Sequence, residues 1–395
     1  MDYRGIIISG TSGSGKSTIA KMICDLSDHF EVVKAITTRQ KRDDDYNYEY
    51  VTDAEFEKKE QKGDLIITTK YRNKKYAITN EHLTLVFKSG KIPILIISPE
   101  SVERFVSKMK DEFNFLSFYI DTIDDELTKR LTEREIDTAA AEKEIKQRNI
   151  DRQYSKFTVY NLLNREEELD SICKFILELW KIRSFGGVLP HQLLQMFLKH
   201  TALIESESEI SKENISASSF DLTLGNSYFQ NGQIRSLKDE EPNIIIKPGD
   251  FIIAGSRERV NIPTTLVGRF DLTVSMFCRG LILSNGPQVD PGYSGPLFCL
   301  LFNTSNEKIE LKKGQHYATI EFSKMIYHTD KPYNGRYQNK EKIFEYLPET
   351  AKYSVISQVR DDISKLQKES FWLKYLPLII AIASLAASIF KLVKP

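Results

Sequence analysis

Gly10-Thr11-Ser12-Gly13-Ser14-Gly15-Lys16-Ser17 decides how the first half of this chain is read. It matches GxxxxGK[ST] at every fixed position, and the chemistry requires that spacing. Glycines let the backbone curl until successive N–H groups point inward at phosphate oxygens. A helix opening at Lys16 adds its positive end at the same point. The strand pattern Gly5–Ser9 precedes the loop and the helical pattern Lys16–Leu26 follows it, as the motif demands. Lys16 is expected to reach the β- and γ-phosphates of ATP, and Ser17 to ligate Mg2+. Gly10, Thr11, Ser12, Gly13, Ser14, Gly15 and Thr18 complete the ATP cradle.

Outward from this loop, strand and helix signals alternate up to Ile182. Ile94–Ile97 and Phe118–Ile120 read as buried strands; Asp125–Arg134, Ala140–Tyr154 and Glu166–Trp180 read as helices. That alternation predicts an α/β domain, a parallel sheet covered on both faces. The pattern breaks at Ser184-Phe185-Gly186-Gly187, and a short helix, Pro190–His200, follows. From Ser219 to Ile326, apolar runs are separated by Gly, Pro, Asn and Asp at short intervals, which predicts an all-β sandwich or barrel.

The whole chain is 395 residues, enough for two or three domains. Lys and Arg together number 55, and so do Asp and Glu, so net charge gives no support to charge-driven nucleic-acid binding. Cys24, Cys173, Cys278 and Cys299 show no CxxC spacing, which argues against a zinc site or a disulfide framework.

The hundred residues after the loop narrow the chemistry. Thr37-Thr38-Arg39, then Arg42 and Tyr46-Asn47-Tyr48-Glu49-Tyr50, resemble the acceptor-phosphate segment of guanylate kinases. The resemblance continues through Phe56, Gly63-Asp64, Lys75-Tyr76, Ser89-Gly90-Lys91, Arg130–Arg134, Arg148 and Asn164. It implies that Arg39, Arg42, Tyr48 and Tyr76 grip the acceptor monophosphate. It also implies that Arg130, Arg134 and Arg148 belong to a lid over the triphosphate, making Lys16 and the arginines 39, 130, 134 and 148 the catalytic set. Separated cations of this kind suit phosphoryl transfer, which needs placement and charge more than covalent help. The departures matter too. Where the family reads guanine with carboxylates and a serine, this chain has Ile67, Ser98, Ile96 and Ile78, and Ala35 replaces a phosphate-binding serine. Apolar groups cannot replace hydrogen bonds to the guanine edge, so guanine is not the expected acceptor base.

The later half resembles the dCTP deaminase and dUTPase family, closer to the deaminase branch. Ser219–Gly225, Gly268–Leu272, Val289-Asp290-Pro291-Gly292-Tyr293-Ser294-Gly295, Leu301–Ser305, Leu311–Gln315 and Pro332–Gln338 occur in its order. That likeness implies a jelly-roll or barrel that trimerises. It also implies a glutamate base ten residues past Asp290, where this chain has Leu300. Leucine cannot take a proton from water, so this deamination route has no base. Phe270, Asp271 and Val274 replace further phosphate ligands. Tyr333 and Arg336 remain as candidates for a second nucleotide site with Asp290. Asp290 either positions water and sugar, as the dUTPase branch implies, or only caps its Asp-Pro-Gly turn.

Near the C-terminus, Tyr375–Phe390 is sixteen residues without a charge, bracketed by Lys374 and Lys391. It reads as a single-pass membrane anchor with the large domains cytoplasmic, although sixteen residues make only about 24 Å of helix. Ile356, Val359, Ile363 and Leu366 form a stripe that suits helix association into a trimer.

The expected organisation is therefore a P-loop kinase-like domain over 1–183, a β domain over 186–345, a helical linker over 346–370 and a transmembrane helix over 371–393. The expected activity is ATP- and Mg2+-dependent phosphoryl transfer to a nucleoside monophosphate, with a catalytically degenerate β domain. The competing readings are a nucleotide sensor that drives oligomerisation or a membrane response, and a dUTPase- or dCTP deaminase-type hydrolase.

Overall fold

A computed structural model describes residues 3–41, 46–71, 74–109, 114–132, 138–165, 168–206, 212–237, 243–342, 362–370, 374–377 and 380–382. The first half is built on five parallel strands: β1 (Tyr3–Gly10), β2 (Phe30–Val32), β7 (Ile92–Ile96), β8 (Asn114–Asp121) and β9 (Tyr160–Leu163). Their order is β2-β7-β1-β8-β9. β1 is central and buried along almost its whole length, which is why its middle is the apolar run Ile6-Ile7-Ile8.

Helix α1 (Lys16–Leu26) lays Ile19, Ala20 and Ile23 on one face of this sheet, and α7 (Leu169–Lys181) adds Ile172, Phe175, Ile176 and Leu179. The other face is covered by α3 (Asn80–Lys88) and α4 (Pro99–Met109), through Leu83, Val86, Val102 and Phe105.

The alternation of strands and helices is as expected, but a second sheet, not separable in the sequence, stands above it. It runs β4 (Tyr48–Tyr50), β3 (Ala35–Thr37), β6 (Lys74–Thr79) and β5 (Leu65–Tyr71). Its outer face holds Ile36 and Ala77 against Phe56 of α2 (Asp53–Gln61). That helix is started by a capping box in which Thr52 and Glu55 satisfy each other's backbone N–H. Helices α5 (Asp124–Thr132) and α6 (Thr138–Asp151) complete this half.

The second half is β-rich and antiparallel. After β10 (Gly187–Val188), α8 (His191–His200) and β11 (Ile204–Glu205) come the long strands. They are β12 (Ser219–Gln230), β15 (Phe251–Asn261), β18 (Ser294–Asn303) and β20 (His316–Lys324), in the order β10-β20-β12-β15-β18-β17 with β17 at Leu281–Ser284. β13 (Gln233–Ser236) and β16 (Leu266–Leu272) pair at the sides, β14 (Asn243–Ile246) pairs with β19 (Ile309–Lys312), and α9 spans Val274–Cys278. Burial alternates along β18 and β20, the mark of strands with one face in a core.

The two halves meet in one apolar cluster. Phe197 of α8 packs 5.0 Å from Phe175 and 6.1 Å from Tyr160, centroid to centroid. Buried His200 stacks on Phe175 at 5.6 Å and hydrogen-bonds Ser171 Oγ through Nε2 at 2.8 Å. Lys324 Nζ, also buried, donates to the carbonyls of Phe185, Met325 and Arg183 at 2.8, 3.0 and 3.3 Å. It thereby ties the connecting segment to the β half. Each fully buried phenylalanine stabilises by roughly 1.5–3 kcal/mol, so the joint is a firm one.

The membrane reading is overturned. No helix among the described residues is long and apolar enough to cross a membrane. The described tail pieces are short, and 362–370 carries Asp362, Lys365, Lys368 and Glu369. Residues 371–373, 378–379 and 383–393 of the expected anchor, with Ile356 and Val359 of the stripe, lie outside the described residues; Ile363 and Leu366 are exposed.

Candidate nucleotide site

β1 delivers Gly10 to the carboxyl edge of the parallel sheet beside β8. Gly10 has φ +143°, and a Cβ there would lie 2.2 Å from the Ile120 carbonyl oxygen. Gly15 has φ +93°, and its Cβ would lie 2.5 Å from Asn164 Nδ2. Both positions require glycine. Ser14 N donates to Thr11 O at 3.2 Å, and Lys16 Nζ turns back to donate to the same oxygen at 2.5 Å. Asn164, just beyond β9 and fully buried, donates to Ser14 O at 2.8 Å and pins the loop from behind.

The buried Ser14 Oγ has no hydrogen-bond partner. An orphan hydroxyl within a curl of amides suits a ligand that brings its own acceptor oxygens, as a triphosphate does. Ser17, half-buried in the first turn of α1, is the residue that could hold an accompanying Mg2+. Thr18, next to it, is exposed.

Across from the cradle, the inner face of the small sheet gathers the expected acceptor residues. Register places Ala35 opposite both Tyr48 and Ile78, and Thr37 opposite both Tyr50 and Tyr76, so all six share that face. The Arg39 guanidinium lies 4.7 Å over the Tyr48 ring and 5.9 Å over that of Tyr50, while Tyr48 and Tyr76 meet edge to face at 6.0 Å. A cation braced on aromatic faces beside phenolic hydroxyls can grip a phosphate. Arg42 lies outside the described residues. Tyr46 donates its hydroxyl to Ser17 O at 2.7 Å, linking this segment to the helix of the cradle. Burial pushes the Tyr46 phenol well above its usual pKa, so it stays a donor.

The lid arginines divide. Arg130 donates to Glu126 Oε2 at 2.9 Å, and its Nη1 lies 3.9 Å from where a Gly15 Cβ would be, within reach of the cradle. Arg148 is 2% exposed, donates from Nε to Asp121 Oδ1 at 2.9 Å, and also pairs with Asp124 and the Thr122 carbonyl. It is held in an ion-pair network at the end of β8. Arg134 lies outside the described residues. Of the expected base-reading positions, Ile67 and Ile78 pair across β5 and β6 and pack in one layer. Ile96 packs in the opposite layer. Sequence reasoning gave no role to Tyr46, Thr69 or Ser101; the tyrosine alternation from Tyr46 to Tyr50 was the signal for the first.

In the β half, Asp290 Oδ1 accepts from Gln288 Nε2 at 2.8 Å in a turn where Gly292 has φ +88°. Tyr333 N donates to Pro291 O at 2.8 Å, and its ring meets Tyr293 edge to face at 5.7 Å. Tyr333 is therefore docked on the turn that carries Asp290. Arg336 instead lies over the Tyr337 ring at 4.6 Å. Leu300, half-buried, stands opposite Ile253 and Ser284 in the sheet. Among the described residues, no group of three His, Cys, Asp or Glu side chains is arranged to hold a metal ion.

Residues 191–325 match the dCTP deaminase-like family. This chain is 34% identical over 146 residues to the dCTP deaminase of Thermococcus kodakarensis, 37% of this chain and 91% of that protein. The chain belongs to the dCTP deaminase-like family. Ahead of that domain is fused a second one: residues 2–181 match the guanylate kinase family. The guanylate kinase of Mycoplasmopsis pulmonis is 27% identical over 188 residues, 44% of this chain and 93% of that protein. Among solved structures, guanylate kinase from Anaplasma phagocytophilum aligns with a TM-score of 0.37 at 15% identity, covering 47% of this chain and 88% of that one. Two nucleotide-handling domains in one chain place it in nucleotide metabolism.

Proposed function

We propose that this chain is an ATP-dependent nucleoside monophosphate kinase whose β domain binds a deoxynucleotide but has lost deamination. One observation carries the reading. The amide cradle and the Arg39–Tyr48–Tyr76 cluster are joined by the Tyr46 hydrogen bond to Ser17 O. A donor phosphate bound at the first meets an acceptor phosphate bound at the second.

In the transfer, an acceptor phosphate oxygen bonds to the γ-phosphorus of ATP as the bond from that phosphorus to the β,γ-bridging oxygen breaks. ADP and a nucleoside diphosphate leave. Backbone amides and Lys16 hold the donor; Arg39, Arg42, Tyr48 and Tyr76 hold the acceptor; Arg130 and Arg134 bring charge to the transferring group. Ser17 would hold Mg2+, which would supply charge neutralisation to the phosphates. Arg148 takes part only by leaving Asp121 and Asp124. The expected result is ADP release from ATP and Mg2+ with at least one common nucleoside monophosphate, abolished in Lys16→Ala. Binding of ATP without turnover of any monophosphate would refute the kinase reading.

For the β domain, Leu300 supports loss of the deaminase step, because nothing at that position takes a proton from water. Asp290 and Tyr333 are the proposed contacts to its nucleotide, with Arg336 swinging off Tyr337, and three copies are the proposed assembly. A second reading, in which nucleotide binding shifts that assembly without turnover, is favoured by the shared core between the halves. It requires different affinities for the two states. Light scattering with and without ATP and Mg2+ tests it; unchanged mass in both conditions refutes it.

A further inference from the structure

The inner face of the small sheet continues past the phosphate end. Across β5 and β6, Thr69 stands opposite Tyr76 and Ile67 opposite Ile78, so Thr69 and Ile67 lie on the face that carries Tyr48 and Tyr76. Ala35, Ile67 and Ile78 pack there with Leu95 and Ile97 as an apolar floor. At its edge three hydroxyls meet. Ser98 Oγ donates to Ser101 Oγ at 2.8 Å, Thr69 Oγ1 lies 2.5 Å from Ser101 Oγ, and Thr69 Oγ1 lies 3.2 Å from Ser98 Oγ. Ser101 is fully buried and also accepts from Arg104 Nη2 at 3.4 Å.

The proton count of this trio sets what it can offer. Ser101 receives from Ser98 and Arg104, so its own proton goes to Thr69. The Thr69 proton closes the ring onto Ser98 at 3.2 Å, the longest side of the trio, and is the one that can turn to a ligand on the face, where Ser98 then has a lone pair to offer. Turned to a ligand, Thr69 and Ser98 present one donor beside one acceptor, carry no charge of their own and lie next to isoleucines.

We propose that the acceptor base is uracil or thymine, read by Thr69 and Ser98; this rests on the kinase reading above. A base carbonyl accepts from Thr69, the ring N3–H donates to Ser98, and C5 or its methyl lies on Ile67 and Ile78. Guanine brings an N1–H and an amino group that together need two acceptors in line. The amino group of adenine or cytosine brings a second N–H that the isoleucines leave unpaired. A polar edge left unpaired in a buried site is strongly rejected.

The test uses the full chain with ATP and Mg2+ and the monophosphates of uridine, deoxyuridine, thymidine, cytidine, adenosine and guanosine. The expected order puts the uracil and thymine nucleotides first, with kcat/KM above that for GMP by about tenfold or more. Thr69→Val and Ser98→Ala should each lower kcat/KM for the preferred nucleotide by about tenfold, chiefly through KM, and narrow its lead over GMP. Far-UV spectra and Tm establish that both variants fold. Highest kcat/KM for a guanine, adenine or cytosine nucleotide overturns the proposal, as does an unchanged preference in both variants. If no monophosphate turns over, the kinase reading falls, and calorimetric binding of thymidine monophosphate against GMP still decides the base: tighter GMP overturns it.

Discussion

Gly15→Ala is the sharpest single probe of the cradle. The new methyl would sit 2.5 Å from Asn164 Nδ2, closer than carbon and nitrogen pack, at φ +93°, where an L-residue is strained. Asn164 cannot simply retreat, because it is fully buried and its Nδ2 holds Ser14 O at 2.8 Å. Strain of about 1–2 kcal/mol and a broken buried hydrogen bond of about 1–3 kcal/mol together give about 2–5 kcal/mol. Much of it should fall on the bound loop geometry, so ATP·Mg2+ should bind at least about 30-fold more weakly by calorimetry. The double variant Gly15→Ala with Asn164→Gly removes the clash but keeps the φ strain. It should recover part of the loss, as a coupled pair does in a mutant cycle. An ATP affinity within twofold of the parent in folded Gly15→Ala would refute the reasoning, and so would a strictly additive double variant.

Arg39→Ala removes the cation braced on Tyr48 and Tyr50; KM for the acceptor should rise about 10- to 100-fold, from the roughly 1.5–3 kcal/mol of a charged hydrogen bond, with ATP affinity little changed. Burial, helped by Lys199 and Arg165, lowers the His200 pKa to about 4, so the folded state binds fewer protons there than the unfolded chain. Its stabilisation is therefore full above pH 6.5 and is lost as pH falls toward 4; Tm of the parent should drop more between pH 7.5 and 5 than Tm of His200→Phe, and equal drops refute it. Lys324→Met leaves the carbonyls of Arg183, Phe185 and Met325 short of a donor, and amide exchange at residues 183–188 should quicken at least about fivefold. With dCTP or dUTP the chain should release neither ammonia nor pyrophosphate; release that disappears in Asp290→Ala overturns the loss of catalysis assigned to the β domain.

What the sequence made legible was local. The cradle could be read because glycine spacing, a preceding strand and a following helix all act within some twenty residues, and α1 begins and ends where its pattern does. The strands around Ile94 and Phe118 could be read because buried parallel strands are continuous apolar runs. The small sheet could not. Its register pairs Ala35 with Ile78 and Ile67 with Ile78, contacts that no local pattern announces. Strand parity also hid the proposed base face: Ile96 and Ile97 are both apolar, yet only Ile97 packs in the layer of Ile67 and Ile78. Arg148 looked like a mobile cation because Asp121 and Asp124 are distant in sequence from it. The apolar tail misleads because sixteen residues without a charge resemble a span, yet make only about 24 Å of helix.

The aromatic joint has a consequence for motion. With Phe197 wedged between Phe175 and Tyr160, and Lys324 clamping the connection, the parallel sheet and the β half travel as one block. The small sheet is held to that block by the Tyr46 hydroxyl, by the Thr69 contacts to Ser98 and Ser101, and by the layer of Ile67, Ile78, Leu95 and Ile97, so any swing of that sheet must loosen all three together.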